Sequence, residues 1–539
     1  MVSFRTWIGI FGACLCAFMA ALDSNVTNAS LKVIQGALSA SMQEASWMST
    51  SYRIAELIIT PLSPWFGQVF SARRYMLVSG ILFAVLSVFC AFARDLNSII
   101  ILRTLQGLTG GALIPMALAV ILTELPVEKR AIGFAIYGSV SSIAPTLGPT
   151  LGGWLTENLG WQYIFYLNVV PGILMSLAVW WGLPVKSVRL DLLKAGDWCG
   201  ILTLAIALGC LEVVLEEGTR LEWFGSQLIV CLSIIAATAF AAWLLIELTV
   251  ERPLVELRLF AQGNFARANV LGFICYLNIV ASVYVLPVCL EQIQCYSPAQ
   301  IGHVMMWGSL PQFFMVPLIP LLLKNFGSRV LLCAGALIYA SSSAMNSQMT
   351  SLTGIDQLIG SQIIRGIAQP LVSVSLSAAV MAFIKQSDAA NASSLYTMVR
   401  YLGASIGVAL SGSFILGREH LHSLRLGAMI SPGGAVVRER LEMLSRHFLS
   451  LGADPVRAGN QALEALSDMV RRQAFVMSFA DCFVVGGGLM LAVALCALLF
   501  LPSRAPRSGL REETVRGREE ETINDGESCQ LEQTGRSAS

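Results

Sequence analysis

The sequence predicts an all-α integral membrane protein of about fourteen spanning helices, and three observations predict it. Hydrophobic residues make up 55% of the 539 residues and charged residues only 13%, about half the charged share of a soluble domain. The apolar residues gather into some fourteen runs near the roughly twenty residues that a helix needs to cross a bilayer. Residues also recur 259 positions apart: Gly107 with Gly366, Tyr137 with Tyr396, Val140 with Val399, Gly148 with Gly407 and Gly153 with Gly412. Such a parallel repeat, with two helices left over between its halves, gives two six-helix bundles plus two extra central helices. The division is 1–183 for the first bundle, 184–267 for the linker helices and 268–502 for the second bundle.

The segments follow in order. The first, 5–27, opens behind Arg5 and resembles a signal peptide. It leads into many further spans, so it reads as an uncleaved helix. The next five are 46–66, 76–93, 98–121, 132–156 and 162–183; the linker pair is 198–216 and 226–248. The last six are 268–291, 299–323, 330–348, 356–383, 391–416 and 477–501. Pro311, Pro317 and Pro320 interrupt 299–323 and predict kinks there. An even number of spans puts both termini on one side. With that side cytoplasmic, the short inner loops hold thirteen Lys and Arg, among them Arg73, Arg74, Lys129, Arg130, Lys324 and Arg329, while the short outer loops hold Lys32, Arg94 and Arg220. This asymmetry sets the orientation. The outer segment 417–476 carries amphipathic spacing over 437–448 and 461–475, which predicts a helical extracytoplasmic element. The cytoplasmic tail 503–539 is polar, mixed in charge and without apolar periodicity, and reads as disordered.

Composition narrows the function classes. A net charge of +1 gives no electrostatic case for a nucleic-acid partner. The 13 cysteines include no Cys-x-x-Cys pair and lie mostly inside apolar runs, so they read as packing residues rather than disulfides or metal ligands. No GxxxxGK[ST], HExxH or GxSxG pattern occurs, which argues against a built-in ATPase or another enzyme and leaves no cofactor to expect.

Charges inside spans are costly, so each is a candidate functional residue. Asp23 lies in the outer half of the first segment, either as a protonatable group lining a cavity or as a helix-end residue wetted by the interface. Arg53 and Glu56 sit three apart on one helix face, either as an internal ion pair or as a proton-exchanging Glu56 tuned by Arg53. Arg103 stays charged in the fourth segment and needs a carboxylate or carbonyl partner. In the repeat its mate is Gln362, and Arg365 falls at the place of Gln106, a related but shifted arrangement. Arg400 fits a pathway role and a structural ion pair equally. His303 and Glu291 read as outer-end, interfacial groups. Gly148, Pro149, Gly152 and Gly153 bring no reactive group; small residues there let helices approach closely and make a pivot or seal between the halves, or ordinary tight packing.

These motifs together resemble the major facilitator superfamily, in its fourteen-span branch of drug:proton antiporters, the EmrB-like and QacA-like group. The likeness covers roughly 5–502. It rests on Leu22-Asp23 to Asn28, Trp47, Arg103-x-x-Gln-Gly with Ile114-Pro115, and Ala144-Pro145-x-x-Gly148-Pro149-x-x-Gly152-Gly153. It continues with Glu222-Trp223-Phe224, Pro253-Leu254-Val255 and Arg400-x-Leu-Gly-x-Ser-Ile-Gly. The resemblance implies that the Gly148–Gly153 run is the antiporter motif and that Arg103 takes part in proton coupling. It implies export of hydrophobic or amphipathic compounds by alternating access, powered by the proton gradient, from a bacterial cytoplasmic (inner) membrane. Members of the group work beside a periplasmic membrane-fusion protein and an outer-membrane channel, for which 417–476 is the place to look. Two departures stand out. The loop after the second segment has Gln68 where the family pattern has an acid and Ser71 where it has a glycine, and Lys32 stands where the first motif commonly ends in proline. The usual gating ion pair of that loop must then be absent or supplied elsewhere. An exporter dedicated to one metabolite, such as a siderophore or fatty acid, and a non-transporting sensor or scaffold are the alternatives.

Overall fold

The computed structural model describes residues 2–194, 196–250, 255–315, 317–430 and 434–501. The tail 503–539, and Pro253 and Leu254 of the motif above, lie outside the described residues.

The chain is built from helices. The first stretch holds α1 (Phe4–Ala29), α2 (Leu31–Ala37), α3 (Met42–Phe70), α4 (Ala72–Ala91), α5 (Leu96–Gly110), α6 (Leu113–Glu124), α7 (Val127–Asn158), α8 (Tyr163–Tyr166) and α9 (Val169–Gly182). Then come α10 (Asp191–Lys194), α11 (Trp198–Gly218) and α12 (Gln227–Thr249). The rest is α13 (Gly263–Gln294), α14 (Pro298–Met315), α15 (Ile319–Asn346), α16 (Ile355–Met381), α17 (Ala389–Met429), α18 (Ala435–Ser450) and α19 (Pro455–Phe500). Their starts follow from local chemistry. Ser3 caps α1 by accepting the Thr6 N–H, Ser41 and Glu44 form a reciprocal capping box on α3, and Asp95 accepts the Ser98 N–H at the head of α5.

Every predicted span meets a helix. Among the described residues, eleven helices are long and apolar enough to cross a membrane. The helices at the other three predicted spans, α3, α7 and α14, fall short of that measure. The physical reason is their content: α3 carries Arg53 and Glu56, α7 is diluted by glycine, and α14 by Pro311, Gln300 and Gln312. One boundary differs from expectation. The span expected to run to 323 ends at Met315, and Ile319 already opens α15, which bends at Gly327 where φ is +77°. The proline cluster thus splits that segment as its composition predicted.

α1 packs on α6, α7 and α9; α3 on α5; α13 on α17; α15 on α16 and α19. Three contacts matter for the site. α7 lies along α14, α17 crosses α3 and α6, and α11 packs on α12, α3 and α17. The segment 417–476 is helical, as its periodicity suggested, but it is no separate element. α17 simply continues to Met429 and α19 starts at Pro455, with α18 packed on α19. Arg418 and His422 of α17 both reach Asp481 of α19, at 2.6 and 2.7 Å, and tie the two long helices together.

The side on which α1 begins is called the near face below, and the side on which it ends the far face.

Candidate transport cavity and its ion pairs

The most buried charges form one network. Asp23 of α1 is 2% exposed and Arg103 of α5 is fully buried. The Asp23 carboxylate accepts from Arg103 Nη1, from Asn168 Nδ2 at 2.5 Å and from Gln106 Nε2 at 3.3 Å. Arg103 Nη1 also donates to Gln106 Oε1 at 2.8 Å, and its guanidinium lies 4.1 Å over the Tyr52 ring. Asn168 is held in turn by Ser87 at 2.9 Å. Residues of α5 and the residue ahead of α9 therefore converge on the α1 carboxylate, with Tyr52 of α3 and Ser87 of α4 holding them from behind. Asp23 is enclosed by protein rather than wetted by an interface. Helical spacing places Arg103 and Gln106 on one face of α5, which is why the Arg-x-x-Gln pattern meets a single acid.

Beside this network lies a cavity of about 1040 Å³, counted out to its open side. Its wall is mixed. Ala17, Leu57, Ile114, Ile279 and Val283 are apolar, Tyr276 and Tyr401 are aromatic, and Arg53, Glu56, Glu212 and Arg400 are charged. Asp23, Arg103 and Arg365 are outside the wall.

Glu56 does not use Arg53, its neighbour on α3. It accepts a hydrogen bond from Tyr401 Oη of α17 at 2.9 Å. Arg53 instead meets Glu216 of α11 at 3.4 Å. The expected Arg53–Glu56 pair is thus replaced by two contacts between helices far apart in sequence. Both side chains share a face of α3, and each finds its partner on another helix. Arg400 is 6% exposed; it lies 4.0 Å over the Tyr276 ring and donates to Tyr137 Oη at 3.2 Å. No acid lies within 4 Å of it among the described residues. Arg365 is 1% exposed and, among the described residues, has no acid within 4 Å; its Nη2 sits 3.6 Å from the Met305 sulfur. The residue 259 positions after Asp23 is Ser282, so the second half keeps an arginine without the acid.

Glu212 escaped the sequence reading. It belongs to linker helix α11, is 1% exposed and accepts from Ser405 Oγ at 2.9 Å. An acid inside an apolar run was the available signal, masked by Glu216 and Glu217, which read as a helix end.

The glycine run divides by face. Gly148 and Gly152 press on α1: a Cβ on Gly152 would lie 2.8 Å from the Val26 carbonyl oxygen. Gly153 presses on α14, where a Cβ would lie 2.6 Å from the Pro298 carbonyl oxygen. Pro149 stays within a continuous α7, and its carbonyl faces Gly302 of α14. Thr150 Oγ1 donates to the Gly302 carbonyl at 2.8 Å, and the Ala299 N–H donates to Glu157 at 3.0 Å. On this far face Lys32 also pairs with Glu291. His303 is exposed and stacks near Trp307. Toward the near face, Ser394 Oγ donates to the Thr60 carbonyl at 2.9 Å and Ser393 Oγ to that of Pro115 at 3.0 Å.

The chain is similar over most of its length to known transporters. The "Colistin resistance protein EmrB" of Acinetobacter baumannii is 30% identical, across 92% of this chain and 96% of that one. The "Multidrug export protein EmrB" of Haemophilus influenzae is 28% identical, across 87% and 90%. Among solved structures, the human organic anion transporter MFSD10 (TETRAN) superposes with a TM-score of 0.57 at 12% identity, covering 91% of this chain and 99% of that one. This is a likeness of fold. The sequence pattern of the Major Facilitator Superfamily matches residues 13–257 and 268–425. With that pattern over most of the chain and a 30%-identical relative along nearly all of it, the protein is a multi-pass membrane protein that belongs to the Major Facilitator Superfamily.

Proposed function

We propose that the protein exports hydrophobic or amphipathic compounds by alternating access, each export step coupled to inward movement of protons. The cavity carries this reading most directly. Apolar and aromatic walls suit a greasy substrate, and Glu56 sits among them on a hydrogen bond from Tyr401, where it can gain or lose a proton as the wall opposite it moves. Two relatives named for drug resistance and multidrug export support the substrate class.

The near face is cytoplasmic in this account, by the Lys and Arg bias, and the membrane is a bacterial inner membrane. The two bundles, 1–183 and 268–502, rock about the cavity. Substrate enters from the near face. Opening of the α7–α14 seam and of the Lys32–Glu291 contact exposes it to the far face. A proton taken up there by Glu56 weakens its hold on the Tyr401 hydroxyl and resets the halves. Asp23 and Arg103 relay the charge change into α1 and α5 through their shared network. A membrane-fusion protein and an outer-membrane channel would receive substrate at the projecting ends of α17, α18 and α19.

Everted vesicles holding an inside-acid gradient test the reading, with a panel of hydrophobic cations, uncouplers, antibiotics and acidic metabolites. Collapse of the gradient by several unrelated compounds, lost in Arg103→Ala, is the expected result. A response to one compound alone would replace multidrug export by a dedicated exporter, and silence across the panel would remove the exporter reading.

A further inference from the structure

Glu212 has a position that a passive linker would not need. One carboxylate oxygen accepts from Ser405 Oγ at 2.9 Å, and the other, Oε2, is buried at the cavity wall with no hydrogen-bond partner. Its side chain is 1% exposed. A buried carboxylate with half its capacity unmet is costly unless a proton or a cation completes it.

Among the described residues, no cation makes an ion pair with it. Arg53 is engaged by Glu216 at 3.4 Å, and Arg400 is stacked on Tyr276. No Lys, Arg or His lies within 4 Å of Glu212 among the described residues. The groups around it are Arg53 and Glu56 from α3, Arg400, Tyr401 and Ser405 from α17, and Glu216 from α11 itself. The acid of α12, Glu247, is turned to the near-face end of the helix, where it accepts the Val255 N–H. Nor is α11 loosely placed. Thr219 Oγ1 shares a hydrogen bond with Ser413 Oγ at 2.8 Å, Trp223 Nε1 donates to the same oxygen at 2.8 Å, and Ser46 Oγ donates to Glu217 at 3.3 Å. The linker helix is thus fastened to α17 and to α3, the two helices that carry the other charged groups of the wall.

We propose that Glu212 is a second proton-exchanging carboxylate of the cavity, held out by the linker helix: it carries a proton when the cavity is empty and releases it to water when a positively charged substrate enters. The O–H bond of the carboxyl breaks, the proton leaves to solvent, and the carboxylate balances the incoming cation, with the Tyr401 ring in the same wall as an aromatic face. The inference rests on the exporter reading and adds a charge sensor to it.

The test is binding of tetraphenylphosphonium to the purified full chain in detergent, followed by calorimetry and by a pH dye in weak buffer. Wild-type protein binds the cation with proton release and more tightly as pH rises. Glu212→Gln weakens binding by about tenfold or more and lowers the proton release, while Glu212→Asp keeps both. Wild-type affinity and proton release in Glu212→Gln overturn the assignment. So does wild-type affinity that stays flat between about pH 5.5 and pH 8, a measurement that needs no variant to fold. Wild-type protein that binds no tetraphenylphosphonium also overturns it, whereas the exporter reading stands or falls separately on the vesicle panel.

Discussion

Asp23 and Arg103 are 80 positions apart in the chain and share one hydrogen-bonded pair. Removing one member of a buried ion pair leaves the other uncompensated, at about 3–5 kcal/mol. Arg103→Ala is therefore expected to lower the thermal midpoint of the purified protein and to abolish coupled efflux. Asp23→Asn keeps hydrogen-bonding capacity but strands the guanidinium, so it lowers the midpoint as well, and Asp23→Asn combined with Arg103→Ala loses less than the sum of the two. A thermal-shift series on the four proteins checks this; additive losses would show that the two do not act as a pair. These residues were legible because a charge inside an apolar run stands out. Their partners were not, because the contacts join α1 to α5 and α3 to α11 and α17, and spacing along a chain says nothing of them. The ion-pair alternative for Arg53 and Glu56 failed for that reason. Glu212 was missed because its helix was read only as a spacer.

Among the helices and their connections, the loop after α3 offers a test of backbone strain. Ser71 has φ +74° and ψ 135°, a conformation favoured by glycine, and it stands where the family pattern has glycine. The corresponding bend inside α15 has Gly327 at φ +77°. Strain of about 1–3 kcal/mol at such a residue exceeds the weak hydrogen bond that Ser71 Oγ accepts from the Lys186 N–H at 3.4 Å. Ser71→Gly is expected to stabilise the protein by about 1 kcal/mol, net of glycine's extra chain entropy, as read by thermal shift. The α7 motif gives a second test. Gly153→Val places a branched side chain against the Pro298 carbonyl and forces α7 from α14 at the far face. The expected result is a proton leak in everted vesicles without added substrate. Gly148→Ala presses on α1 instead and lowers stability without the leak. The sequence announced a seal or pivot; it could not announce that one run serves two neighbours, since that depends on which helices flank α7.

Across the whole molecule, contacts join the two halves on both sides of the cavity. The spans and their order were legible from hydropathy and loop charge, and the fold followed from them. The crossings between halves were not, because they involve serines, carbonyls and a surface pair that carry no pattern. Lys32 and Glu291 are one such crossing, and Lys32 replaces the proline usual at that place. Paired cysteines at 32 and 291, in a chain cleared of its own cysteines and joined by a short bifunctional maleimide, are expected to arrest transport while leaving substrate binding intact. Either single cysteine should transport normally, because an exposed ion pair contributes only about 0–1 kcal/mol.

The account depends on a carboxylate in the cavity that couples proton movement to substrate movement, and proteoliposomes with an imposed pH gradient test that directly. Wild-type protein should accumulate a panel substrate against its concentration gradient. Glu56→Gln should still exchange substrate down its gradient and should fail to accumulate it. Uphill accumulation by Glu56→Gln at the wild-type rate would contradict the account.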